Sequence, residues 1–133
     1  MALQIQNRER EGIAILDLNG RLTMGEEASA LRDALRALAA SGVKNVLLNL
    51  KELSYIDSTG LGALVVCFTT LRKQGGKLKL EHVNRRNIEL LLFTKLTTIF
   101  ELFNDETDAV NSFFPDRAIK HFDILSFIQG QSE

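Results

Sequence analysis

The sequence predicts a single α/β domain with a mostly parallel central sheet, an antiparallel strand at its start, about four helices and a C-terminal extension. Three observations carry that prediction. Strand-like apolar runs alternate with amphipathic helical stretches along most of the chain. The later strands are separated by helical stretches long enough to cross back over a sheet, which is the connection parallel pairing requires. At 133 residues the chain suffices for one core and not comfortably for two.

Taken in order, residues 3–7 and 12–18 read as paired strands, the second through Ile13, Ile15, Leu16 and Leu18, with a turn between Glu9 and Gly12. Ala28, Leu31, Leu35 and Leu38 then mark a first helix. Glu26 and Glu27 complement the dipole of its first turn, and Ser41-Gly42 ends it. The nearly continuous apolar run near 43–50 has the composition of a buried parallel strand. Leu61, Leu64, Val65, Phe68 and Leu71 form one face of a second helix, stopped by basic residues and Gly75-Gly76.

Residues 77–83 alternate strictly, which predicts a strand with one wet face, and His82 reads as a strand residue on a wet or half-buried face. Asn84 is a candidate N-cap for a third helix carrying Ile88, Leu91, Leu92 and Leu96. A short strand near 99–103 precedes a fourth helix with Ala109, Val110, Phe113 and Phe114, and the single proline, Pro115, falls where that helix should stop. The domain is thus expected over residues 3–114, with an amphipathic extension over 115–133. In the extension Ile119, Phe122, Leu125 and Ile128 have helical spacing, with Ile124 and Phe127 beside them. So apolar a tail either packs back on the body or meets a partner, for instance in a homodimer.

Composition narrows the function. With 16 basic and 17 acidic residues the net charge is −1, so the electrostatic footprint of phosphate-backbone binding is missing and nucleic acid is not an expected direct partner. No apolar run approaches the roughly 20 residues of a membrane span, and the N-terminus lacks the pattern of a signal peptide. A cytoplasmic protein without membrane contact is expected. The one cysteine, Cys67, cannot pair within the chain and reads as a packed thiol. Neither common nucleotide fingerprint is present, His82 and His121 have no partners at metal-ligand spacing, and Asp57-Ser58 lacks the context of a hydrolase nucleophile. No catalysis, cofactor or metal is expected.

The informative stretch is Tyr55-Ile56-Asp57-Ser58-Thr59-Gly60-Leu61-Gly62, where strand pattern gives way to helix pattern. Either Ser58 or Asp57 can cap the helix by accepting a backbone N–H. Capping leaves Gly60 and Gly62 unexplained, because each should cost the first turn up to about 1 kcal/mol relative to alanine. They imply tight helix-to-sheet packing or close approach by another molecule's backbone.

Ile56-Asp57-Ser58-Thr59-Gly60-Leu61-Gly62-Ala63-Leu64, with Val46–Leu50 before it and Gly75-Gly76-Lys77-Leu78 after it, resembles the STAS domain of bacterial anti-sigma factor antagonists. Gly20-Arg21-Leu22 and Leu96-Thr97-Thr98-Ile99-Phe100 extend the resemblance to roughly residues 3–114. It implies partner switching in transcription regulation. The unphosphorylated antagonist binds an anti-sigma factor that is also a serine kinase, lets go once phosphorylated, and is restored by a serine phosphatase. Carried over, Ser58 is the phosphate acceptor, Asp57 its acidic neighbour, and Thr59, Gly60, Leu61 and Gly62 part of the docking surface. Thr23, which stands where many family members carry an acidic residue, belongs to the same surface. A STAS-like docking adaptor of a transport or multiprotein scaffold, with Ser58 only a cap, is the alternative.

Overall fold

The computed structural model of the chain describes residues 3–130. Strands β1 (Leu3–Arg10) and β2 (Ile13–Leu22) pair antiparallel from Leu3↔Gly20 to Arg10↔Ile13. The two residues between them, Glu11 and Gly12, have φ of 53° and 83°, the left-handed pair of a tight hairpin turn whose twist matches that of the strands. Both strands run further than the predicted 3–7 and 12–18.

Helix α1 (Glu26–Ala40) carries the chain to β3 (Asn45–Ile56), helix α2 (Ser58–Lys73) to β4 (Lys77–Glu81), and helix α3 (Arg85–Phe93) towards β5 (Leu102–Phe103). The sheet order is β1-β2-β3-β4-β5, with every pairing after the first parallel. Helices α1, α2 and α3 share one core, in which Leu31, Leu35, Leu64, Leu71 and Leu91 meet Leu16, Val46, Leu48, Leu50 and Leu80 of the strands. Cys67 lies in that core, where burial pushes its thiol up to about 12.

Ile13, Ile15, Leu47 and Phe103 point to the other face and pack with Ala109 and Val110 of a short helix α4 (Glu106–Asn111). That cover corrects the expected wet face of β4. Of the polar residues of the alternation Lys77 is exposed, but Lys79 and Glu81 are only 5% and 0% exposed. Lys79 Nζ donates to the Ser112 carbonyl at 3.1 Å and its hydroxyl at 3.0 Å, and pairs with Glu101. His82 lies just past β4, half-buried, with φ of 57°.

Other boundaries shift for local reasons. Helix α3 stops at Phe93 and Lys95 turns left-handed (φ 65°), so Leu96 falls in a separate 3-10 turn rather than on the helix. The predicted strand at 99–103 is reduced to two residues. Helix α4 ends four residues before Pro115, and Phe113 and Phe114 occupy the turns that follow. In the extension the helical spacing is realised only in α5 (Ile124–Ile128). Phe127 enters the main core and Phe122 packs beside it, while Leu125 and Ile128 stay exposed. The Phe122 N–H donates to the Leu102 carbonyl at 3.2 Å, laying the extension along the outer edge of β5. Residues 131–133, the end of that extension, lie outside the described residues.

Charged side chains tie β1 and β2 to α4. Arg8 grips Asp17 with two nitrogens, at 2.7 and 3.0 Å, and Glu106 at 2.6 Å; Arg10 reaches Glu106 at 3.1 Å. Asn49 from β3 donates to Asp17 at 2.7 Å. Beneath them Glu81 is fully buried; neither of its oxygens makes a hydrogen bond to a donor among the described residues, although His82 Nε2 stands 3.4 Å from its Oε1. Burial, then the neighbouring Glu106, pushes Glu81 up to about 9, whereas the Arg8 guanidinium holds Glu106 well below the usual carboxylate range. Glu81 is therefore the protonated partner and donates to the Glu106 carboxylate, which accounts for the missing donors.

Because the folded-state value of Glu81 is raised, its contribution to stability is complete below the unfolded value of about 4.3 and disappears as pH rises towards the folded one. Wild type should lose up to about 1.4 kcal/mol per pH unit between about pH 5 and 9, measured by urea denaturation, and Glu81→Gln should abolish most of that slope. Parallel slopes in the two proteins would show that Glu81 is ionised. The glycines of α2 give a second expectation. A Cβ on Gly60 would overlap the Leu22 carbonyl, whereas one on Gly62 would meet nothing within 4 Å. Gly60→Ala should thus destabilise by roughly 1–3 kcal/mol, and Gly62→Ala should stabilise by up to about 1 kcal/mol, read in the same titration.

Candidate functional site

Strands β2 and β3 end side by side, with Leu22 opposite Ile56, and the chain leaves both ends into helix starts. Asp57 joins the two. Its backbone is extended (φ −97°, ψ −177°), its Oδ1 accepts from the Gly60 N–H at 2.7 Å, and its Oδ2 accepts from the Met24 N–H at 3.0 Å. Its own N–H donates to the Leu22 carbonyl at 3.2 Å. The cap of α2 is thus Asp57 and not Ser58, and the same carboxylate holds the loop of Thr23, Met24 and Gly25.

Ser58 becomes the first residue of α2, exposed, with no hydrogen bond to its Oγ among the described residues. A hydroxyl with no structural duty stands at the tip of the junction. Thr59 and Gly62 are exposed beside it. Gly60 and Leu61 are buried, so these two members of the expected docking surface face the body of the protein instead. Gly60 answers the need for close helix-to-sheet packing, since it leaves room for the Leu22 carbonyl. Gly62 has no such neighbour, and nothing among the described residues would meet a Cβ there.

Thr23 is half-buried, with its Oγ1 donating to Glu27 at 3.4 Å. Its neighbour Met24 is 67% exposed and was not singled out by the sequence. On the other side of Ser58 lies a groove of about 570 Å³ between the end of β3 and α3. Its walls include Tyr55, Ser58, Arg86, Leu90 and Phe93. The Arg86 guanidinium lies over the Tyr55 ring at 4.5 Å, and Arg21, opposite Tyr55 in the β2–β3 register, lies 5.4 Å from the same ring. Phe93 is 87% exposed at the groove's rim. A signal was available for Phe93, an aromatic residue outside the apolar spacing of Ile88 and Leu91. Arg86 and Tyr55 carry no such mark, because only the packing of α3 against β3 brings them together.

Among the described residues no cluster of three or more His, Cys, Asp or Glu side chains is placed to hold a metal, and no helix is long and apolar enough to cross a membrane. The site offers an open hydroxyl, an apolar rim and two guanidiniums. Such a set suits recognition of a surface and control by modification.

Known proteins place this geometry in a family. The STAS domain family model matches residues 4–109. The anti-sigma-B factor antagonist of Bacillus subtilis (strain 168) is 35% identical over 102 residues, covering 77% of this chain and 92% of that protein. An anti-sigma factor antagonist from Mycobacterium paratuberculosis superposes with a TM-score of 0.74 at 21% identity, covering 84% of this chain and 93% of the other. The Bacillus cell fate determinant SpoIIAA, solved in its phosphorylated form, has a TM-score of 0.65 at 18% identity, covering 84% and 99%. With the family model matching residues 4–109, a 35% identical relative covered over 92% of its length and the single α/β domain in agreement, the chain belongs to the STAS domain proteins of the anti-sigma factor antagonist family.

Proposed function

We propose that this antagonist works by partner switching: unphosphorylated, it binds an anti-sigma factor serine kinase; phosphorylated on Ser58, it releases that kinase; and a serine phosphatase restores it. The observation that carries the reading is the free hydroxyl of Ser58 beside a cap already supplied by Asp57. A serine needed as the cap would be buried in its own hydrogen bond, and its modification would disturb the helix. Here the two jobs belong to different residues. The likeness to a Bacillus protein that is known in a phosphorylated form supports the same reading.

The chain itself has no catalytic part in this scheme. It presents Ser58, Thr59 and Gly62 from α2, with Thr23 and Met24 from the neighbouring loop, and the kinase supplies the chemistry. A phosphate adds about −1.5 to −2 charges and three acceptor oxygens where the partner must come within contact distance. The hydrogen bonds of Asp57 do not involve Ser58, so the fold persists and the interface alone responds. An adaptor reading, with Ser58 as a mere cap, leaves the uncommitted hydroxyl without a use.

Incubation with the cognate kinase and ATP, followed by mass mapping, should put one phosphate on Ser58; a phosphate on Thr59 or elsewhere, or none, would remove the basis of the proposal. Ser58→Asp should weaken kinase binding at least about tenfold, or about 1.4 kcal/mol, without lowering the thermal midpoint. Ser58→Ala should keep wild-type affinity in the absence of ATP and fail to dissociate when ATP is added. Equal affinity of Ser58→Asp and wild type in a calorimetric titration would contradict the electrostatic account.

A further inference from the structure

The groove beside Ser58 contains a feature that docking by itself does not explain. Arg86, in the first turn of α3, has its guanidinium carbon over the Tyr55 ring at 4.5 Å, and Arg21 approaches the same ring from β2 at 5.4 Å. Neither guanidinium is ion-paired among the described residues. Every other charged group of the groove is engaged: Asp57 accepts the N–H groups of Gly60 and Met24, and Glu89 faces Arg85 at 3.5 Å. Stacking on an aromatic ring occupies the flat face of a guanidinium and leaves its N–H edge available, in the planar arrangement that pairs with phosphate oxygens. Tyr55 lies three residues before Ser58, and Ser58 and Arg86 line the same groove.

We propose that Arg86, assisted by Arg21, is an internal receptor for the phosphate of phosphorylated Ser58, so that modification both charges the surface and folds the phosphate into the groove against the Tyr55 stack. This rests on the phosphorylation reading above and deepens it by naming what receives the phosphate. The modified chain then differs from the unmodified one in two respects. The groove next to the docking surface is filled, and a partner that would reach Arg86 finds it taken. A phosphate held in this way is also withheld from solvent and from a phosphatase until the guanidinium lets go. The apolar rim of Leu90 and Phe93 limits the competition from water.

The test needs neither kinase nor partner, so its failure is separate from failure of the partner-switching reading. Phosphoserine is introduced at position 58 during translation by codon reassignment, and the phosphate is titrated by phosphorus NMR. The titratable groups that line the groove with Ser58 are Tyr55, Asp57, Arg86 and Glu89; behind them stand Arg21, against the Tyr55 ring, and Arg85, against Glu89. In the wild-type background its second ionisation should lie about half a unit or more below that of the Arg21→Gln, Arg86→Gln double variant, because an adjacent cation favours the dianion. Arg86→Lys should retain part of the shift, and Arg72→Gln, at the far end of α2, should retain all of it. Identical titrations in wild type and the double variant would overturn the proposal. So would a shift that Arg72→Gln removes as effectively, since that would reflect overall charge and not a receptor. Circular dichroism and thermal midpoints of the exposed arginine variants should match wild type, which keeps the comparison one of local electrostatics.

Discussion

One carboxylate holds the business end of this molecule together. Asp57 accepts the Gly60 N–H with one oxygen and the Met24 N–H with the other, so the start of α2 and the loop that leads into α1 are fixed to the same two atoms. Its backbone N–H adds a third link, to the end of β2. The helix start is satisfied from outside Ser58, which leaves that side chain free to be changed without consequence for the secondary structure. Gly60 completes the arrangement from the opposite side, because without a Cβ the helix can settle against the Leu22 carbonyl. Asp57 carries the structural load of the junction, and Ser58, its neighbour in the chain, carries none of it.

The two faces of the sheet solve the burial problem differently. Three helices cover one face with mainly aliphatic side chains, and the polar contribution there is small: Asn84 and buried Asn87 of the α3 start both donate to the Leu53 carbonyl. The other face has only a six-residue helix and the turns after it, too little to seal five strands. Polar groups complete the cover: Arg8, Arg10, Asp17, Asn49 and Glu106 form a charged lattice from β1 to α4, and protonated Glu81 lies below it. Such a lattice is stable only if each member is satisfied, and the proton on Glu81 is what satisfies the last one.

The sequence made the order of elements legible because helix and strand periods differ and because glycines and caps mark the ends. Asn84 as the N-cap of α3 and the Glu9–Gly12 turn follow from local chemistry, and local chemistry is what a sequence displays. The alternation of Lys77 to Glu81 is equally plain, but it tells only that two faces exist. What lies on the second face depends on α4, some twenty-five residues further on, and so Lys79 and Glu81 looked exposed. The same limit applies at the site. The strand-to-helix junction is contiguous and can be read directly, while the Arg21–Tyr55–Arg86 stack is assembled from three elements and has no linear signature. The choice between Asp57 and Ser58 as cap was open for a subtler reason, since both residue types accept the bond and only the position of Met24 makes one of them the better fit.

The strip of extension laid along β5 has a bearing on how this protein behaves at high concentration. A parallel sheet ends in a row of unused backbone donors and acceptors that can recruit strands from other molecules. At the β5 end the strand is two residues long and its flank is occupied by the chain's own Phe122. The remaining border is β1, eight residues long, whose side chains Gln4, Gln6, Asn7, Arg8, Glu9 and Arg10 are polar or charged. Self-templated growth is therefore discouraged at both borders by different means: one is sealed by the chain's own backbone, and the other is made a poor template by its charge.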